Sequence, residues 1–108
     1  MEKLDSPVLD HTQATECFAA LGSEQRLGVL LALVAAGPAG MNAGDLAMRT
    51  GIGASTLTHH LRFLSQSGLV RQERQGRQIR SFAQFERVEQ LSQYLMLNCC
   101  SEPEGSDT

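Results

Sequence analysis

The sequence predicts a mainly α chain with one small β-hairpin, and three observations predict it. Apolar residues recur at three- and four-residue spacing in five separate stretches, most of them bounded by glycine, proline or a small polar residue. After the fourth stretch come two short runs, residues 69–73 and 78–82, on either side of Arg74-Gln75-Gly76-Arg77, which is the pattern of a hairpin with a glycine in its turn. The charge is segregated: from Arg49 to Arg80 six arginines stand against the single acid Glu73, a local balance of +5 in a chain whose net charge is −3. Helix, tight corner and basic hairpin, in that order over residues 52–80, are the parts of a winged helix-turn-helix.

Taken in order, residues 10–21 put Ala14, Cys17, Phe18 and Leu21 on one stripe, so a short amphipathic helix is expected there, after a flexible arm over residues 1–9. Gly22-Ser23 breaks it, and Ser23 is placed to cap a second helix over 24–36 with Leu27, Leu30, Leu31 and Val34 inward. Gly37-Pro38 ends that helix. Asn42 is a candidate cap for a third helix over 43–50, with Leu46 and Ala47 inward and Gly51 closing it. Gly51-Ile52-Gly53 is short enough to force the third and fourth helices into an angled pair. The fourth, 55–66, turns Leu57, Leu61 and Leu64 to a core, leaves Ser55, Thr56, His59, Arg62 and Gln66 free, and stops at Ser67-Gly68. A last helix over 85–98 gathers Val88, Leu91, Tyr94 and Leu95 on one face with Leu97 beside it. Residues 10–100 are expected to form one domain, with 101–108 a disordered acidic tail.

A domain of this size supports a modest core, and its first and last helices carry more apolar surface than it can hide alone. A homodimer through those two helices is therefore expected. No apolar run is long enough to span a membrane and the first ten residues lack the apolar core of a signal peptide, so a cytoplasmic protein with no membrane partner is expected. Cys17, Cys99 and Cys100 form neither an even disulfide framework nor a paired Cys-x-x-Cys zinc pattern, and in a reducing compartment they are expected to be thiols. No fitting catalytic base, cofactor loop or pocket motif accompanies them, so no enzyme is expected and no cofactor is required.

The free face of the fourth helix suits duplex DNA. The major groove admits a helix and displays donors and acceptors that short polar side chains can meet, while arginines on phosphates position the protein. Ser55, Thr56, Thr58, His59 and Arg62 are the candidate DNA contacts of the helix, and Arg74 and Arg77 those of the hairpin. A solvated hairpin with arginines for solubility is the plainer alternative. In a two-fold dimer the two reading helices would address half-sites about one helical turn apart. His59 and His60 are adjacent, hence about 100° apart on a helix, with His59 facing DNA and His60 partly buried beside Leu57 and Leu64. His11 reads as plain surface.

These residues carry a resemblance. Phe18-Ala19-Ala20-Leu21 with Arg26-Leu27, Asp45-Leu46-Ala47, Ser55-Thr56-Leu57-Thr58-His59-His60-Leu61, Ser67-Gly68-Leu69-Val70 and Gly76 together resemble the ArsR/SmtB family of winged-helix repressors. The resemblance implies a homodimer that leaves its operator when an inducer binds, usually a metal, a metalloid or a redox signal. Two family sites are absent. Where many members carry Cys-x-Cys before the third helix, this chain has Met41-Asn42-Ala43-Gly44, and its last helix offers Glu86 and Glu89 but no histidine for zinc.

Asn98-Cys99-Cys100 resembles the C-terminal vicinal pair of one arsenic-responsive branch. The implied inducer is As(III), Sb(III) or a trivalent organoarsenical held by Cys99 and Cys100, since thiolates suit soft, thiophilic centres. The adjacent pair closes on one atom only where the helix frays. Cys17 is the third candidate ligand; its alternative is a small buried hydrophobe. A redox or reactive-sulfur sensor is the other open reading. Adjacent Cα atoms lie about 3.8 Å apart, below the usual disulfide range of about 4.4–6.8 Å, so Cys17 to either partner would be the workable bridge. The helix C-terminus and Glu102 and Glu104 oppose thiolate, which disfavours oxidation more than metalloid binding.

Overall fold

In a computed structural model, which describes residues 9–100, the element order is α1 (His11–Ala20), α2 (Glu24–Ala36), β1 (Met41–Asn42), α3 (Ala43–Thr50), α4 (Ala54–Gln66), β2 (Val70–Gln75), β3 (Gln78–Ala83) and α5 (Phe85–Cys100). The expected arm, apart from Leu9, and the acidic tail lie outside the described residues, as do the side chains of Cys99 and Cys100.

Local chemistry sets the boundaries. Asp10 and Gln13 form a reciprocal capping box, the Asp10 carboxylate accepting from Gln13 N–H at 2.7 Å and the Gln13 amide oxygen from Asp10 N–H at 3.1 Å. Ser23 Oγ accepts from Arg26 N–H at 3.3 Å and Asn42 Oδ1 from Asp45 N–H at 2.8 Å, so both expected caps are in place. Gly51, in the left-handed conformation, closes α3. A 3-10 turn at Gly37–Ala39 links α2 to β1.

The strands form one antiparallel sheet in the order β1-β3-β2, with Met41 opposite Ser81 and Gln75 opposite Gln78. The hairpin turns in two residues, Gly76-Arg77. Only Gly76 has positive φ, at 66°, which is the type II′ pattern that matches the twist of paired strands. The third strand was not anticipated, because two residues are too few for alternation to show.

The core gathers Val29, Leu33, Leu46, Leu57, Leu64 and Leu69, all with almost no solvent exposure. It lies where α2, α3 and α4 meet, with the sheet against α2 and α4, and with α1 packed on α4 and α5. On α2 the inward face differs from the expected one. Val29, Leu30, Ala32 and Leu33 are buried, whereas Leu27 and Leu31 are 40% and 55% exposed. A helix that is apolar nearly all round gives no sharp stripe, so spacing alone could not choose the face. Phe18 is likewise exposed beside buried Ala14, Cys17 and Ala20. On α5, Leu91 is buried, Val88 and Tyr94 pack against the core, and Leu95, Met96 and Leu97 are exposed. His11 is more than surface, since its Nδ1 meets Tyr94 Oη at 2.8 Å and ties α1 to α5.

Candidate nucleic-acid interface

The α4 helix turns Leu57, His60, Leu61 and Leu64 inward and presents Ser55, Thr56, Thr58, His59 and Arg62 to solvent. Its N-cap is Gly53, which offers no side chain to the first-turn amides, so those amides and the positive end of the helix stand beside Ser55 and Thr56. The Thr58 hydroxyl donates to Ala54 O at 3.0 Å, which leaves it only an acceptor role towards any ligand. Thr58, Arg62 and Gln66 also line a cleft of about 370 Å³ between α4 and the hairpin.

The hairpin arginines fall into two groups. Arg71 pairs with Glu73 and lies 4.3 Å from the centre of the Phe82 ring, and Arg80 Nε donates to Ala39 O at 2.9 Å. Those two serve the sheet. Arg74 and Arg77, at the far end, have no hydrogen-bond or ion-pair partner among the described residues. A charge left unpaired at the tip of a projecting hairpin is available to a phosphate.

Contacts to Gln25 and Phe63, two side chains that the sequence did not single out, help hold α4 in place. His60 is buried, and its Nε2 meets Gln25 Oε1 on α2 at 2.9 Å while its Nδ1 has no partner among the described residues. Burial, then the positive Arg26 and then His59, push the His60 pKa below the usual imidazole range. A histidine inside an apolar stripe signals that a partner exists, but nothing in spacing names Gln25. Arg26 lies over the Phe63 ring at 4.9 Å, and Phe63 meets the His59 ring edge-to-face at 5.0 Å.

Cys17 has no solvent exposure and its Sγ donates to Ser67 O at 3.4 Å, a carbonyl that also accepts from Arg87 Nη1 at 3.1 Å. Burial raises the thiol pKa, an effect that the neighbouring Arg87 partly opposes. The backbone of Cys99 and Cys100 forms the end of α5. Among the described residues no three His, Cys, Asp or Glu side chains are grouped to hold a metal ion, and no single helix is long and apolar enough to cross a membrane.

Three angled helices, a reading helix with a polar outer face and a basic two-stranded wing define a winged helix-turn-helix. Residues 21–73 match the helix-turn-helix domain family. Among solved structures, the fold is that of ArsR-family transcriptional regulators. An ArsR-like transcriptional regulator from Rhodococcus sp. RHA1 superimposes with a TM-score of 0.75 at 28% identity, over 87% of this chain and 86% of that one. HlyU from Vibrio cholerae, whose solved structures include the reduced protein, gives 0.64 at 24% identity over 92% and 99%. A homodimeric winged helix-turn-helix DNA-binding domain from Mycobacterium bovis gives 0.64 at 21% identity over 90% and 85%. No curated protein matches the chain significantly by sequence.

Proposed function

We propose that the protein is a homodimeric transcriptional repressor that leaves its operator when trivalent arsenic or antimony binds the thiolates of Cys99 and Cys100. The observation that carries the DNA half is the pairing of a solvent-facing polar helix with Arg74 and Arg77 unpaired at the wing tip. Dimerisation through α1 and α5 is supported by the apolar side chains these helices leave exposed: Phe18 on α1, and Leu95, Met96 and Leu97 on α5. The homodimeric Mycobacterium bovis domain has the same fold.

The inducer rests on Asn98-Cys99-Cys100 and its resemblance to the arsenic-responsive pair. Two sulfurs complete the coordination of an organoarsenical, which keeps one carbon bond, and leave inorganic arsenite one ligand short. The burial of Cys17 and its bond to Ser67 favour a two-thiol site over a three-thiol one. Adjacent helical residues point about 100° apart, so closing both sulfurs on one atom unwinds the end of α5. That change falls on a helix of the proposed dimer interface, which is how a site off the DNA surface alters affinity.

A thiol redox sensor is the second reading, favoured by one observation: a fold shared with HlyU, a protein solved in its reduced form. Titrating the DNA complex with arsenite, phenylarsenite, zinc and peroxide separates the two. The arsenic reading expects release by the arsenicals, more readily by phenylarsenite, and none by zinc. Release by peroxide at concentrations comparable to the arsenicals would transfer the function to the redox reading.

A further inference from the structure

Phe63 is a large apolar residue of α4 that remains 40% exposed and takes no part in the core. It stands four residues after His59, so the two rings share one face of the helix. Their centroids are 5.0 Å apart at an interplanar angle of 86°, the edge-to-face arrangement that aromatic quadrupoles favour. On the Phe63 ring lies the guanidinium of Arg26, 4.9 Å from its centre. That guanidinium is itself fixed at the carbonyl end of α1, because Nε donates to Ala20 O and Nη2 to Ala19 O at 3.5 Å, the latter a carbonyl that also accepts from Gly22 N–H at 3.2 Å. A continuous series of contacts thus runs from the end of α1, through Arg26 and Phe63, to an imidazole on the solvent face of α4.

An exposed histidine turns freely about its outer torsion, which has broad minima. A base edge in the major groove is read only when a ring nitrogen meets it in the right direction. Fixing the ring beforehand removes the ordering cost that binding would otherwise incur. We propose that Phe63, held by Arg26, is a positioning residue that sets the His59 imidazole for base reading, so that operator preference depends on two side chains that need not touch DNA. This rests on the DNA-reading function proposed above.

The test uses the full chain, the duplex that wild type selects from a random pool, and an unrelated duplex of equal length, each over a range of salt. Phe63→Leu keeps an apolar side chain and removes the ring. It is expected to lower the preference for the selected duplex about two- to tenfold, with binding to unrelated DNA and the salt slope unchanged. Phe63→Tyr, which keeps the ring, should retain the preference. Arg26→Met, which withdraws the cation and leaves the ring, should show a smaller loss of the same kind, and it serves if Phe63→Leu does not fold. In a His59→Ala background Phe63→Leu should have no further effect, and in wild type the His59 ring protons should carry a ring-current shift that Phe63→Leu abolishes. Equal weakening on both duplexes, an undiminished effect in the His59→Ala background, or an unchanged preference would overturn the proposal. So would a His59→Ala variant with full preference; in that case the salt slope of Arg77→Ala still judges the DNA-reading function separately.

Discussion

Cys17 and His60 are two residues whose burial controls their chemistry. The Cys17 thiol is shut away from solvent against Ser67 O, and burial raises its pKa. In a Cys99→Ser/Cys100→Ser variant the remaining thiol should therefore react with a disulfide reagent only on unfolding, and immediate reaction in the native state would contradict its placement. If the inducer site has two thiols, Cys17→Ser should cost about 1–2 kcal/mol of stability and leave the response to arsenite and phenylarsenite in the same ratio. His60 resists protonation when folded. Above about pH 7.5 it is neutral in both states and contributes no pH dependence. Below its unfolded value of about 6.5 the unfolded chain takes up a proton that the folded chain resists, so stability falls with acidification until the folded pKa is passed. Urea unfolding from pH 8 to 5 should show this decline, and His60→Gln should flatten it. Neither partner of these residues was legible in the sequence. Gln25 and Ser67 lie 35 and 50 positions away, and periodicity carries no information about such pairings.

At the scale of elements, the corner after α4 depends on a glycine in the left-handed region. Gly68 sits at φ 82°, and a Cβ there would lie 2.9 Å from the Arg87 guanidinium that holds Ser67 O. Gly68→Ala should cost about 1–3 kcal/mol, read as a lower urea midpoint at unchanged slope. The wing gives a functional counterpart. Arg77→Ala should weaken binding about equally on operator and unrelated DNA and reduce the salt slope by about one ion, as measured by fluorescence anisotropy over a salt series; a change of sequence preference at constant slope would contradict a phosphate role. Most elements were legible because each has a local cause: Ser23 and Asn42 as caps, Gly51 and Gly68 as stops, Gly76 in the turn. What escaped was non-local. The α2 face toward Val29 and Leu33 is chosen by what α3, α4 and the sheet leave open, and β1 exists only because β3 lies beside it. Among the hairpin arginines, sequence could not separate Arg71 and Arg80, engaged by Phe82 and Ala39, from Arg74 and Arg77.

For the whole molecule, the basic charge is concentrated on one part of the surface. Polar and basic groups gather on α4 and the hairpin, while exposed apolar side chains are spread over the elements, with a run of three, Leu95, Met96 and Leu97, near the end of α5. His11 and Tyr94 tie α1 to α5, and Arg26 ties the end of α1 to α4, so a change at the α5 terminus has a contiguous path of contacts to the reading helix. Coupling of this kind is typically worth about 1–3 kcal/mol, or about 5- to 150-fold in DNA affinity. The most direct test of the account is arsenical release from DNA, followed by anisotropy, for wild type and for Cys99→Ser and Cys100→Ser. Wild type should lose its DNA when phenylarsenite is added, while each variant binds DNA as tightly as wild type and stays bound. Release of either variant at the wild-type concentration, or loss of DNA binding by both before any arsenical is added, would contradict it.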